Sequence, residues 1–185
     1  MSPSDTGVSP SDTGLSPPDF TLVRRDLDHP DAAALIELVQ AEYVRIYGGP
    51  DAAPIGPTEF AAPAGHFLVG YLDQVPVAMG GWRRHGDEHP DTAWARSRAE
   101  IKRMFVADAA RGRGLARSLL TALETEARAQ GVHWLLLETG FKQPAAIALY
   151  RAAGYRDIPN FGHYADTPLS VHLGKALTSG ATFPP

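Results

Sequence analysis

The stretch IKRMFVADAARGRGLARSLL, Ile101–Leu120, changes period midway, and the rest of the chain is organised around that change. Its first residues belong to RAEIKRMFV, which reads as a strand. ADAARGRG is then a loop in which glycines and arginines interleave. From Leu115 the apolar residues recur at helical spacing, with Leu115, Leu119, Ala122, Leu123 and Ala127 on one face and an end near Gly131. A helix start exposes unpaired backbone N–H groups at the positive end of the helix dipole, and glycine lets a ligand approach that backbone closely. Each exposed dipole interaction contributes only about 0.3–1 kcal/mol. The N–H groups around Gly112, Arg113, Gly114, Leu115 and Ala116 therefore have to act together, with Arg111 and Arg117 adding charge.

Several guests are compatible with such a loop taken alone. A P-loop requires a lysine after its last glycine, and Gly114 is followed by Leu115, so that reading fails. A dinucleotide turn finds a candidate ribose-binding acid in Glu138. It also meets Arg117 where a small residue is needed, and five residues, ADAAR, where the turn should be tight. Lys102, Arg103, Arg111, Arg113 and Arg117 could face nucleic-acid phosphates, but no aromatics interleave with them for base stacking. A helix start with solvated arginines is the plainest alternative.

Outward from this unit, FTLVRRDL reads as a strand. A helix follows, opened by His29 or Asp31 and carrying Leu35, Leu38, Val39 and Val44. GGPDAAPIGP breaks that helix, and EFAAPAG is loop. HFLVGYLD and VPVAMGGWRRH form a hairpin around a DQ turn, and HGDEHPDTAW is a polar excursion. VHWLLLE is apolar enough to be buried on both faces. PAAIALYRAAG is a helix with Pro144 in its first turn, and strands near Tyr155–Ile158 and Ser170–Leu173 flank a PNFGHY loop. The order β-α-β-β-β-α-β-α-β-β predicts an α+β fold of mixed α/β layers.

The chain has 185 residues, 44% hydrophobic and 21% charged, which fits one globular domain. A formal net charge of −4 argues against a protein built to coat nucleic acid or acidic membrane. The absence of cysteine excludes disulfides, thiolate metal sites and a cysteine nucleophile. No apolar run is long enough to span a bilayer, and the N-terminus lacks a secretory pattern, so a cytoplasmic location is expected. Residues 1–19 hold the tandem heptapeptide SPSDTGV, SPSDTGL and the start of a third copy, too polar to fold alone. The expected organisation is a disordered repeat tail over 1–19, a folded domain over 20–175 and a flexible tail over 176–185.

Residues downstream narrow the guest. R-G-R-G-L-A resembles the acetyl-CoA loop, [Q/R]-x-x-G-x-[G/A], of the GNAT N-acetyltransferase superfamily. Gln143-Pro-Ala-Ala-Ile-Ala-Leu-Tyr150-Arg-Ala-Ala-Gly154-Tyr155 is similar to that family's N-x-x-A-x-x-x-Y-x-x-x-G-[F/Y] signature, with Gln143 in place of Asn. The resemblance covers about residues 20–175 and implies an acyl-CoA N-acyltransferase fold: a central mixed, mostly antiparallel sheet flanked by helices. It places pantetheine between strands 100–107 and 132–138, bonded by backbone of Phe105 and Val106, and the pyrophosphate on residues 111–117. Gln143 and Tyr150 also fall in the cofactor site. The resemblance implies acetyl-CoA as cosubstrate, a primary amine as acceptor, and a monomer or homodimer without nucleic acid or membrane. A non-catalytic acyl-CoA-binding or sensing module on the same fold is the alternative.

Within that frame Tyr150 is the expected general acid, placed near the thioester sulfur. Glu138, ending a buried strand twelve residues earlier, resembles the base of protein N-terminal acetylating members, and burial against Trp134 and Leu136 would raise its pKa. Glu100 or water is a second candidate base. Tyr43, Trp82, Arg83, Glu100, Phe161 and Tyr164 are candidate acceptor contacts. His85 and His89, four apart in a polar loop, lack the helical context of a metal motif, and no metal is expected. His66, His133 and His163 have no evident partner, and Ser118 and Ser170 lack a nucleophile elbow.

Overall fold

A computed structural model describes residues 19–56, 58–84 and 97–178. The heptapeptide copies, the His85–His89 segment and residues 179–185 lie outside that range. The described residues form seven strands and three α-helices: β1 (Phe20–Arg24), α1 (Pro30–Tyr47), β2 (Gly65–Leu72), β3 (Val75–Arg84), β4 (Arg98–Val106), a 3-10 turn (Asp108–Ala110), α2 (Leu115–Ala129), β5 (Trp134–Gly140), α3 (Pro144–Ala152), β6 (Arg156–Asp157) and β7 (Ser170–Ala176). They make one sheet in the order β1-β2-β3-β4-β5-β7-β6. Only β4 and β5 run parallel; the other neighbours are antiparallel.

Helix α1 starts where the Pro at its first turn needs no N–H partner, and His29 Nδ1 caps it by accepting from Asp31 N at 3.2 Å. Its apolar stripe is narrower than the sequence suggests. Ala32, Leu35 and Val39 are buried, whereas Leu38 and Val44 face outward. The β2–β3 hairpin turns on Asp73 and Gln74, both left-handed, the geometry that matches strand twist in a two-residue loop. In α2, Leu115, Leu119, Leu123 and Ala127 are fully covered, as the 3.6 period requires. Leu135, Leu136 and Leu137 of β5 are each no more than 1% exposed. β6 is shorter than expected and β7 longer, and buried Leu177 continues the packed chain past residue 175.

Alternation sorts the side chains onto two faces. Leu68, Ala78, Trp82, Ala99, Ile101, Leu135 and Leu137 pack with α2. Phe67, Val69, Tyr71, Met79 and Phe105 pack with α1. In β4 the alternation breaks once. Lys102 pairs with Gly81 and Phe105 with Met79, so β4 spends one residue more than β3 between the two pairs. Arg103, at φ 60°, sits in this bulge. Before it the odd residues Ala99 and Ile101 face α2; after it Phe105 faces α1 and Val106 faces α2.

Candidate active site

β4 and β5 pair only from Arg98–Trp134 to Ile101–Leu137, and then part. Two cavities open from that split. The larger, about 520 Å³, lies over the N-terminus of α2 and is lined by Phe105, Val106, Arg111, Gly112, Gly114, Leu115, Ala116 and Arg117, with Gln143 and Tyr150 from the α3 side. This volume is in the usual range of small-molecule clefts. Glu42 of α1 and Lys142 also reach it. Gly112 and Gly114 hold φ of 78° and 77°, where a side chain is strained, and an added Cβ would meet nothing within 4 Å at either. The loop is thus an open backbone concavity at a helix start, the form of an anion site. Arg113 is exposed and lines neither cavity. Arg111 is tied to protein: its Nε donates to Val106 O at 2.9 Å, its Nη2 meets Glu42 Oε2 at 2.6 Å and its Nη1 meets Asp108 Oδ1 at 2.9 Å.

The smaller cavity, about 120 Å³, lies on the α1 face and is lined by Tyr43, Asp51, Lys102, Arg103, Glu138, Thr139 and Tyr164, among others. Met104, Gln143, Ala146 and Tyr150 line both cavities, so the two meet at the Tyr150 ring. α3 carries this tyrosine inward against Tyr155, ring centroids 5.7 Å apart. Burial raises the Tyr150 phenol above the ordinary tyrosine range, and the nearby Tyr43 adds to the effect. Gln143 fixes the start of α3 to the end of β5, its Oε1 accepting from Thr139 Oγ1 at 3.3 Å and from Gly140 N at 3.4 Å.

Glu138 reaches the small cavity because Leu135 and Leu137 point to α2, leaving residue 138 on the α1 face. Burial raises its pKa, opposed by the Ser170 hydroxyl, which donates to Oε1 at 2.9 Å, and by the charge of Lys102. Asp51 is pinned to α1 through its own N–H, which donates to Gln40 Oε1 at 2.9 Å. Its Oδ1 accepts from Tyr164 Oη at 2.8 Å and from Ala53 N at 2.9 Å. Tyr164 in turn accepts from Ala52 N at 2.9 Å.

Four of the residues expected to contact the acceptor are outside the lining of both cavities. Trp82 is completely buried on the α2 face, stacked on His66 at 6.2 Å between ring centroids, because its even position points away from the small cavity. Arg83 and Glu100 pair across β3 and β4, with Arg83 Nη2 and Glu100 Oε2 at 3.0 Å. Lys102 Nζ takes the other Glu100 oxygen at 2.9 Å, so this carboxylate is engaged on both sides. Phe161 packs edge-on against His172, 5.2 Å between centroids. None of the four lines either cavity. Asp51 was hidden in a segment readable only as a helix breaker. Lys102 and Arg103, candidates for phosphate contact by composition, line the other cavity. Among the described residues no three His, Cys, Asp or Glu cluster as metal ligands, and no helix is long and apolar enough to cross a membrane.

The model of the acetyltransferase (GNAT) family matches residues 32–155. An IAA acetyltransferase of Azospirillum brasilense is 51% identical over 78 residues, 42% of this chain and 51% of that one, so the match spans about half of the relative's length. Among solved structures, an acyl-CoA N-acyltransferase candidate from Klebsiella pneumoniae subsp. pneumoniae MGH 78578 is similar with a TM-score of 0.69 and 30% identity, over 86% of this chain and 98% of that chain. An acetyltransferase candidate from Salmonella typhimurium, solved with its cofactor acetyl-CoA, has a TM-score of 0.64 at 20% identity, over 89% of this chain and 97% of that chain. At that identity the second likeness concerns the fold.

Proposed function

Because the chain belongs to the GNAT acetyltransferase family, we propose that it transfers the acetyl group of acetyl-CoA directly to a primary amine of a small molecule or peptide, with Tyr150 as general acid and Glu138 as base. The observation that carries this reading is the meeting of two cavities at one phenol. A long cleft over a helix start suits a phosphorylated cofactor, and a small polar chamber suits the acceptor.

Acetyl-CoA supplies an acyl group activated as a thioester. The N–H groups around Gly112 to Ala116 suit its pyrophosphate, and Arg117 and Lys142 add positive charge at the same cleft. The β4 edge beyond Ile101, unpaired by β5, suits an extended amide chain. An amine is mostly protonated at neutral pH and must lose a proton before it attacks. Glu138, its proton affinity raised by burial, is a stronger base than a solvated carboxylate and takes that proton. The C–N bond then forms, the C–S bond breaks, the thiolate takes its proton from Tyr150, the surplus proton on the new amide nitrogen restores the phenol, and Glu138 releases its own proton to solvent. Burial keeps the phenol protonated across the working pH range, so the proton is present when needed. A thiolate leaving into the same apolar surroundings also gains proton affinity, which narrows the gap between the two groups. With no cysteine in the chain, direct transfer needs no thiol acyl-enzyme.

The test is thiol release from acetyl-CoA across a panel of amines. Tyr150→Phe is expected to lower kcat about 10²–10⁴-fold, the usual contribution of a positioned acid, with acetyl-CoA affinity almost unchanged. Wild-type turnover across several amines would remove Tyr150 from the acid role. Binding of acetyl-CoA without turnover on any amine would favour the binding-module alternative.

A further inference from the structure

The small cavity has a charge pattern that points to a particular kind of acceptor. Four consecutive β4 residues, Ile101, Lys102, Arg103 and Met104, line it, which strict alternation forbids and the bulge permits. Two adjacent cations therefore share one face. Lys102 is already paired with Glu100 at 2.9 Å. Arg103 is not equally satisfied: its side chain is 9% exposed, its Nη1 has no hydrogen-bond partner among the described residues, and its carboxylate neighbour, Asp51 Oδ2, lies 3.6 Å away. Asp51 spends its other oxygen on Tyr164 and Ala53. A buried guanidinium with an open N–H requires an acceptor. The opposite demand comes from Glu138, which receives one hydrogen bond, from Ser170 to Oε1, among the described residues. A donor in the cavity would give this carboxylate a second bond. Holding Arg103 at φ 60° also costs roughly 1–3 kcal/mol, a strain that persists where the surroundings require it.

We propose that the acceptor is a small zwitterionic amine, its anionic group bound by Arg103 and its amine directed to Glu138. The inference rests on the reading of this cavity as the acceptor site. A diamine would leave Arg103 unsatisfied and bring a second cation beside it. A neutral amine would satisfy Glu138 alone. The modest volume, about 120 Å³, favours amines of few atoms, such as alanine, β-alanine or 2-aminoethylphosphonate.

The experiment compares these three with alaninamide, ethanolamine and 1,3-diaminopropane, following thiol release by the full-length protein, its Arg103→Met variant and its Arg103→Lys variant. Wild type is expected to favour the zwitterions in kcat/KM. Arg103→Met should lower kcat/KM for them about ten- to a hundredfold more than for alaninamide, the share of one charge-assisted hydrogen bond. Arg103→Lys should recover part of the loss. Because the readout is a ratio between substrates, a variant that is merely less stable lowers both and leaves the ratio intact. Preference of wild type for the amide or the diamine, or an equal loss on all substrates in Arg103→Met, overturns the zwitterion proposal and leaves the transferase standing. Thiol release with none of the amines, with acetyl-CoA still bound, overturns the transferase reading and this one with it.

Discussion

Gly114→Val should weaken coenzyme A binding far more than Arg113→Ala, although arginine carries the charge that complements a phosphate. Gly114 precedes the first residue of α2 at φ 77° and ψ 1°, and a Cβ added there meets nothing within 4 Å. The penalty for a side chain is therefore torsional, not steric. A left-handed L-residue costs roughly 1–2 kcal/mol, and a β-branched one sits at the unfavourable end of that range or beyond it. A substituted loop relieves the strain by leaving the left-handed region, which turns N–H groups away from the cleft, and binding must restore it. At 1.4 kcal/mol per tenfold, Gly114→Ala should raise the CoA Kd about 5–30-fold, and Gly114→Val at least as much. Arg113 is exposed and lines neither cavity, so its loss removes one screened charge, about 0.3–1 kcal/mol or two- to fivefold. Titration calorimetry with CoA at 0.15 M salt measures both, and thermal unfolding of the free proteins shows whether α2 survives. A larger Kd change in Arg113→Ala than in Gly114→Val would refute the backbone account of recognition.

Other substitutions probe the remaining parts of the site. Glu138→Gln should abolish the rising limb of the pH–rate profile, and an unshifted profile would exclude Glu138 as the base. The same variant has a stability signature. The folded pKa of Glu138 lies above its unfolded value, so its contribution is fully present below the unfolded pKa, about 4.3, and is lost as pH rises through the folded one. The Tm of the variant relative to wild type should therefore increase as the pH is raised across that window, and a flat difference would contradict the burial argument. Gly140→Ala would drive a Cβ into the Tyr47 hydroxyl. Overpacking of this kind costs about 1–3 kcal/mol. The expected result is a lower Tm and a raised acceptor KM at unchanged CoA affinity, partly recovered by adding Tyr47→Phe; full retention of both would contradict the close approach.

What could be read from the sequence was what local chemistry decides. The period of Leu115 to Ala127, the continuous apolar run of β5 and the glycines of the α2 loop each act through near neighbours, and each is found where its pattern puts it. The lining of the small cavity depends on the faces of distant strands. Trp82 looks like a pocket aromatic in GGWRRH, but its parity on β3 sends it to the α2 face. Asp51 sits in a Gly–Pro segment with no regular period, and its place at the cavity depends on Gln40 of α1 and Tyr164 from the far end of the chain. Leu38 and Val44 fit a helical stripe, yet α1 meets the sheet along a narrower line through Ala32, Leu35 and Val39.

The bulge in β4 behaves like a frameshift in three dimensions. A strand is read in steps of two, and the supernumerary residue shifts the odd–even numbering of everything downstream while the bulge keeps the pairing with β3 in register. Substituting Arg103 changes one side chain, whereas deleting it would restore the two-step reading. Phe105 would still face α1 and Val106 α2, because the deletion removes the one residue that the bulge holds out of the pairing with β3. The supernumerary residue thus adds a second cation to the small cavity without disturbing the packing on either side of it. Deleting Arg103 should therefore spare the core contacts of Phe105 and Val106 while removing one cation from the small cavity.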